Sequence, residues 1–333
     1  MYEYNFYKDG LNNYSAEEFY ARHREKKSIR RAANIIGGAV VAQTAVNFAA
    51  SLILGLVLGL TGRSYLMNDA FFLNVFQIVV SVLMFIPVFV FAAKKAGIKI
   101  SRACSFSGAE DKGTVLPALL IGYGICVIAN IVNSIITQFL SSFGLDSSVD
   151  FPTPEGFSGF LLMIFSVAVV PALVEEFAFR GVVLSLLKPY GDGFAIAVSA
   201  LIFGLMHGNM SQIPFAIIVG FVLGYITVRT GSVWVSIALH FINNFMSVVL
   251  TYITMGMSED SAAFVSVAWI FCSVCLLVSG VAVANGQNKV IYVKSKSNSL
   301  LAFSERMKIA LSAPGMIFAF AVFAFEIILS FTK

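Results

Sequence analysis

Long apolar runs dominate the chain and give way to polar residues only at short intervals. Val, Ile, Leu, Phe and Ala continue for about 20 residues at a time, the length at which a helix crosses the hydrocarbon core. The runs lack the alternation of a membrane β-barrel, and backbone amides in lipid must be satisfied within each segment. The pattern predicts an all-α, polytopic transmembrane helical bundle of about nine spans, with eight as the alternative. The predicted spans are 35–61, 71–93, 114–140, 157–187, 193–208, 212–229, 232–254, 262–285 and 313–331.

These spans divide the chain into four predicted parts. Residues 1–34 form a basic cytoplasmic N-terminal segment, and residues 35–140 form the N-terminal transmembrane helices. Residues 155–250 form a central group of helices, and residues 251–333 form the C-terminal helices with a basic cytoplasmic loop. The predicted span 157–187 is long enough to bend at Pro171 or to project from the membrane.

Composition supports a membrane location. Of 333 residues, 58% are hydrophobic and 12% are charged, about half the charged fraction of a soluble domain. Lysine and arginine gather in the loops on the N-terminal side, so the positive-inside rule predicts a cytoplasmic N-terminus. We expect an integral protein of a bacterial plasma membrane. The net charge of +4 comes without a nucleic-acid-binding motif, which favours anionic lipid over nucleic acid as the partner.

A few polar side chains interrupt the apolar runs and cluster in the central helices. An ionisable side chain in hydrocarbon costs about 2.5 to 3.5 kcal/mol even on insertion scales, so each one calls for a reason. Glu326, in the last run, stands alone and is expected to make a helix contact or to snorkel to the interface. The clustered residues are Glu175, Glu176, Arg180, His207, His240, Asn243 and Asn244.

Helical spacing predicts how these residues pair. Glu176 and Arg180 are four apart, so they share a face and can neutralise each other. Glu175 projects about 100° away and needs a partner from another helix. His240 and Asn244 are also four apart and point the same way. A rise of about 1.5 Å per residue places His207 farther from the cytoplasmic side than Glu175 and His240. A tilted or re-entrant 193–208 segment would bring the three residues to the same depth.

The chemistry available to this set is the activation of water. A carboxylate can act as general base, and a histidine beside it can orient the same water or carry its proton. A second histidine with an amide one turn later can donate to a developing oxyanion. The structural alternative is polar contact between helices, and for Glu176 and Arg180 both interpretations stay open.

Three motifs in this region resemble the CAAX protease and bacteriocin-processing family, also called the Abi family of glutamate intramembrane proteases. The family pattern has E-E-x-x-x-R, then F-x-x-x-H, then H-x-x-x-N, on successive hydrophobic segments. The resemblance covers about residues 155–250 and marks them as a catalytic transmembrane core. The matching residues are Glu175-Glu176 with Arg180, Phe203 with His207, and His240 with Asn244.

The resemblance implies roles for each residue and a class of activity. It implies that Glu175 and His207 activate the attacking water, that His240 and Asn244 stabilise the oxyanion, and that Glu176 with Arg180 supports the site. Relatives include enzymes that remove the last three residues of prenylated CAAX proteins. Bacterial relatives look like proteases or bacteriocin-immunity proteins, so the substrate does not transfer.

The sequence leaves two questions open, the need for a metal ion and the activity itself. Glu175, His207 and His240 would make a His₂Glu zinc set, but the chain lacks H-E-x-x-H, so a mechanism without metal is slightly favoured over one with zinc or another divalent ion. We expect an intramembrane endopeptidase acting on a membrane-associated peptide or protein. The alternative is a non-enzymatic membrane protein, an immunity factor or small transporter, that uses these residues to bind a ligand or proton.

Overall fold

The computed structural model describes residues 15–100, 108–145, 152–288 and 297–331. Within these ranges every regular element is helical, which confirms the predicted all-α transmembrane bundle. The predicted basic loop around residues 289–296 lies outside the described residues. The helices are α1 Ala16–Leu60, α2 Ala70–Ala96, α3 Val115–Ser141, α4 Gly156–Tyr190, α5 Asp192–Leu205, α6 Ile213–Thr230, α7 Val233–Thr254, α8 Glu259–Gly286, α9 Phe303–Leu311 and α10 Pro314–Ser330.

The number of spans is seven or eight rather than nine. Among the described residues, seven helices are long and apolar enough to cross a membrane, and α9 with α10 forms an eighth if the pair, bent by 68°, counts as one span. The predicted span 193–208 becomes α5, which has 14 residues. At 1.5 Å per residue α5 is about 21 Å long, short of the roughly 30 Å hydrocarbon core. Hydropathy alone could not distinguish this short buried helix from a span.

Helix α1 runs without a break through residue 34, where the polar N-terminal segment was expected to end. It has 45 residues and so extends about 68 Å, with Ser15 capping its first turn. Its basic N-terminal half is anchored against the other end of the chain. Lys26 pairs with Glu305 of α9 at 2.6 Å, and Glu25 accepts a hydrogen bond from the Leu300 amide at 3.0 Å. Ile29 is fully buried in the same region.

Helix α4 is continuous but irregular. Its backbone takes the wider π-helical form over Ile164–Val169 and again over Phe177–Val183, with the α-helical segment Val170–Glu176 between them. Pro171, where a bend was expected, stands just after the first π segment. A proline lacks the amide that an α-helix needs, and a π segment absorbs this local disruption. The result is that Glu175 and Glu176 sit between two distorted turns.

Small residues bring α5 and α6 close together. A Cβ atom added at Gly220 would lie 2.9 Å from Ala200 Cα, and one added at Gly204 would lie 2.2 Å from Ile217 Cγ1. Helices in membranes approach this closely where small side chains permit it. Gly220 and Gly224 of α6 share the G-x-x-x-G spacing with Gly55 and Gly59 of α1, yet a Cβ atom added at Gly55 or Gly59 would meet nothing within 4 Å. The contact expected from this spacing is therefore present on α6 and absent on α1 within the described residues.

Candidate active site

A buried ion pair forms the base of the site. Arg180 Nη1 lies 2.8 Å from Glu176 Oε1, and both side chains are fully buried. Arg180 Nη2 donates to the Gly220 carbonyl at 3.1 Å, and the guanidinium carbon lies 4.4 Å from the centre of the Phe203 ring. Buried charges are tolerated when they are paired and hydrogen-bonded. The ion pair expected from the i, i+4 spacing is therefore present.

His240 of α7 bridges the two glutamates of α4. Its Nδ1 lies 3.0 Å from Glu176 Oε1, and its Nε2 lies 4.0 Å from Glu175 Oε2. Since Glu176 Oε1 also accepts from Arg180, one carboxylate oxygen joins the guanidinium and the imidazole. A carboxylate oxygen only accepts, so His240 Nδ1 carries the hydrogen of this bond. The partner that Glu175 required from another helix is this histidine.

Glu175 differs from its neighbour in access. Its side chain is 14% exposed, whereas the Glu176 side chain is fully buried. The Glu175 carboxylate lies within electrostatic reach of both His207 and His240. The 100° step between adjacent helical positions therefore separates two environments: Glu176 is fully buried, and Glu175 is partly exposed.

His207 lies in the turn that follows α5. Its Nδ1 is 2.9 Å from the Phe203 carbonyl oxygen, so Nδ1 carries the hydrogen and Nε2 presents a lone pair. The Phe203 ring makes edge contacts with both imidazoles, at 5.3 Å to His207 and 6.0 Å to His240. The two histidines therefore flank one ring. The structure thus brings His207 and His240 close together, although the depth arithmetic had separated them.

Asn244 lies one turn after His240 and faces the first π segment of α4. Its Nδ2 donates to the Val167 carbonyl at 2.9 Å, while its Oδ1 accepts from Asn243 Nδ2 at 3.0 Å. An amide nitrogen carries two hydrogens, so one is available for a further acceptor. The carboxamide ties α7 to α4 and sits on the same helical face as His240.

Glu326 of α10 approaches the site from outside the central helices. A Cβ atom added at Gly208 would lie 3.2 Å from Glu326 Cβ and 3.3 Å from its Oε2, so this side chain packs against the turn next to His207. Gly208 has a φ of 66°, which favours glycine and leaves room for the acid. The contact agrees with the helix-contact role expected for this residue. Its isolation in an apolar run was the only sequence signal, and that signal did not show which helix it meets.

The candidate zinc ligands are Glu175, His207 and His240. Within the described ranges, no group of three or more His, Cys, Asp or Glu side chains is placed to hold a metal ion. His240 Nδ1 and His207 Nδ1 both face protein oxygens, which leaves Nε2 of each ring as the nitrogen that could bind a metal ion, as in most zinc-ligating histidines. This geometry is compatible with a metal-assisted as well as a metal-free reaction, and the chemistry below is derived from the side chains alone.

The arrangement combines a partly exposed carboxylate, two imidazoles and a carboxamide on neighbouring segments of the chain. Helix α4 packs against both α5 and α7, and the Phe203 ring of α5 contacts His240 of α7. A carboxylate and a histidine can take and pass a proton, and an imidazole with an amide can donate to a negative oxygen. This set is chemically sufficient to add water to a carbonyl group.

The central helices α4 to α7 are similar in sequence to known proteins. Residues 157–246 match the family model described as type II CAAX prenyl endopeptidase Rce1-like. The chain is 29% identical over 90 residues to the Bacillus subtilis (strain 168) protein named "Putative membrane peptidase YdiL", a match that covers 27% of this chain and 37% of that protein. No solved structure matches the chain.

The matched range includes every residue of the three motifs and excludes the terminal helices. The six residues given roles by the resemblance, from Glu175 to Asn244, all lie within residues 157–246. Glu326 and the long helix α1 lie outside that range. Residues 157–246 of this chain are thus similar to the Rce1-like CAAX prenyl endopeptidases, which confirms the resemblance carried by the three motifs.

Proposed function

We propose that the chain is an intramembrane endopeptidase that hydrolyses a peptide bond of a membrane-associated protein or peptide. The observation that carries the proposal is the position of His240, whose two ring nitrogens face the two glutamates at 3.0 and 4.0 Å. A purely structural role is already filled by Glu176, which pairs with Arg180 within α4 and with His240 of α7. The second, partly exposed glutamate is then available for chemistry.

Glu175 acts as the general base in the proposed reaction. A water molecule between Glu175 and His207 loses a proton as its oxygen attacks the carbonyl carbon of the substrate. His207 Nε2 presents a lone pair, because Nδ1 donates to the Phe203 carbonyl, and it can orient this water or take up its proton. The proton then passes to the leaving nitrogen as the C–N bond breaks, so no covalent enzyme intermediate forms.

His240 and Asn244 stabilise the negative oxygen of the tetrahedral intermediate. They stand one turn apart on the same face of α7, and Asn244 retains one N–H beyond the one it donates to Val167. Donors held in place before reaction stabilise developing charge without reorganisation. Protonated His240 donates through Nε2 to this oxygen, and its Nδ1–H stays bonded to Glu176.

Glu176 and Arg180 support the site rather than touch the substrate. Both are fully buried, and the shared Oε1 of Glu176 fixes the imidazole of His240. A second bond from Arg180 reaches Gly220 of α6, so the pair also links three helices. Loss of this pair would misplace His240 and reduce catalysis indirectly.

The proposed mechanism uses no metal ion. It is supported by the side chains present, because a carboxylate, two imidazoles and a carboxamide supply a base, a proton carrier and oxyanion donors without a metal ion. Zinc content of the active, purified protein, measured by plasma mass spectrometry, tests this part. One zinc per chain that is lost together with activity in Glu175→Gln, His207→Ala and His240→Ala would replace it with a metal-assisted hydrolysis.

The proposed substrate is a peptide segment presented at the membrane. The matched family model is described as a type II CAAX prenyl endopeptidase. For this chain a membrane-associated peptide or protein is the supported class, because every site residue lies on or next to apolar helices.

Comparative proteomics of new peptide termini tests the proposed function. The host would carry either the natural chain, Glu175→Gln, or the control Glu259→Gln, which alters an exposed acid in the first turn of α8. We expect at least one membrane-protein fragment with a defined terminus that disappears in Glu175→Gln and persists in Glu259→Gln. Identical sets of termini in all three strains would favour the non-enzymatic alternative, an immunity factor or transporter.

A further inference from the structure

A groove between α1 and α2 shares no lining residue with the site described above. It has a volume of about 350 Å³, within the range of small-molecule sites. Its walls come from residues four apart on each helix, namely Asn34, Gly38 and Ala42 on α1 and Pro87, Phe91 and Lys95 on α2. A spacing of four keeps each set on one helical face, so the groove runs parallel to both helices.

The two ends of the groove differ in polarity. Helices α1 and α2 are joined by residues 61–69 and run in opposite directions, so Asn34 lies at the same end as Lys95, and Ala42 lies at the end of Pro87. Eight residues correspond to about 12 Å of helix, most of the thickness of one leaflet of a bilayer. The groove is therefore apolar along most of its length and cationic at one end.

The floor and the walls suit a hydrocarbon chain. Ile35, Ala39 and Ala92 are buried beneath the groove, whereas the Phe91 side chain is 66% exposed along its edge. Gly38 has no side chain, and a Cβ added there would meet nothing within 4 Å. The missing side chain leaves a lengthwise depression that is open to the membrane.

The cationic end suits a phosphate. Lys95 lines the groove, and Arg31 lies one turn before Asn34 on α1, about 4.5 Å farther along the axis. Both side chains are exposed, and neither forms an ion pair with a residue in the described ranges. Basic side chains at the membrane surface attract anionic headgroups by about 1 kcal/mol each.

We propose that this groove is a binding site for one anionic glycerophospholipid. An acyl chain lies along Gly38 between the two helices, and the headgroup phosphate binds Lys95 and Arg31. Charge complementarity selects this occupant over a zwitterionic lipid, whose headgroup carries its own cation. The site lies outside the matched residues 157–246, so it is independent of the proposed peptidase activity.

Native mass spectrometry of the full-length protein in detergent tests the site, with phosphatidylglycerol and phosphatidylcholine added separately. We expect one tightly retained phosphatidylglycerol per chain and weaker binding of phosphatidylcholine. Gly38→Leu fills the groove and should abolish the retained lipid. Lys95→Gln and Arg31→Gln should each weaken phosphatidylglycerol binding about fivefold.

Two matched variants control the experiment. Gly55→Leu adds the same side chain at another open position of α1, and Lys94→Gln removes an exposed cation of α2 that does not line the groove and points about 100° away from Lys95. Both should bind phosphatidylglycerol like the natural chain, with circular dichroism showing that all variants stay folded. Equal retention by Gly38→Leu and Gly55→Leu, no preference between the two lipids, or conversion of a dimer to a monomer by Gly38→Leu without a change in bound lipid would each overturn the proposal.

Discussion

The central helices α4 to α7 differ from the flanking helices α1 and α8 in length, in regularity and in the number of residues that they bury. Helix α8 is 28 residues long and regular, and its buried residues are Ser273, Gly280 and Ala284. Helix α5 has half that length and buries most of its residues, while α4 changes between α and π forms around its glutamates. The long, regular helix exposes most of its residues to lipid. The short or irregular helices bring buried polar side chains into contact.

The same contrast appears in the ion pairs. Arg180 and Glu176 in the centre are fully buried, whereas Lys26 and Glu305 at the edge are 48% and 35% exposed. A buried pair leaves an uncompensated charge if one partner is removed, but an exposed pair leaves charges that water can solvate. Burial, rather than the distance between the charged atoms, therefore decides how much each ion pair contributes to stability.

The largest effect on stability is expected from Arg180→Met. Removing the guanidinium leaves the Glu176 carboxylate buried, with His240 as its remaining partner, and should destabilise the protein by about 3 to 5 kcal/mol. Thermal unfolding in detergent measures the loss. The double variant Glu176→Gln with Arg180→Met should recover part of it, because no buried charge then lacks a partner. A single variant as stable as the natural chain would show that the pair does not hold the centre together.

Asn244→Ala should reduce turnover about 10²- to 10³-fold, the loss seen when one oxyanion donor is removed. The effect should fall on kcat with little change in KM, because the donor acts on the intermediate. Asn244 also bonds Val167, so unfolding must be measured in parallel. An equal rise in KM with unchanged kcat would assign Asn244 to substrate binding instead.

A smaller effect on stability is expected from filling the close contact between α5 and α6. Gly220→Val places a side chain against Ala200, where a Cβ would lie 2.9 Å from the Cα atom, and should cost about 1 to 3 kcal/mol. Gly55→Val enters open space and should leave the unfolding free energy nearly unchanged. Both can be measured by chemical unfolding. Equal losses would mean that α1 has a partner on this face.

The smallest effect is expected at the edge of the bundle. Lys26→Ala removes the exposed pair with Glu305 and should change the unfolding free energy by less than about 1 kcal/mol. High salt should produce a similar change in the natural chain, since exposed pairs are screened. A loss as large as that of Arg180→Met would contradict the contrast between centre and edge.

The sequence predicted the class of fold and the pairing of residues on one helix. Apolar run length identified the long helices, and the spacing of four predicted the bond between Arg180 and Glu176. It could not predict that the apolar run at 193–208 forms only a 14-residue helix, Asp192–Leu205, because apolar residues suit a protein interior as well as lipid. The π segments of α4 and the approach of Glu326 to Gly208 depend on tertiary packing, which no local pattern records.

A double-mutant cycle between Glu175 and His240 tests the central proposal, that these helices form one catalytic centre. Cleavage of the substrate identified by proteomics would be measured for Glu175→Gln, His240→Ala and both together. Residues that act as a unit give non-additive losses of activity. The double variant should therefore be nearly as active as the less active of the two single variants. Fully additive losses, or a single variant with full activity, would contradict a shared centre.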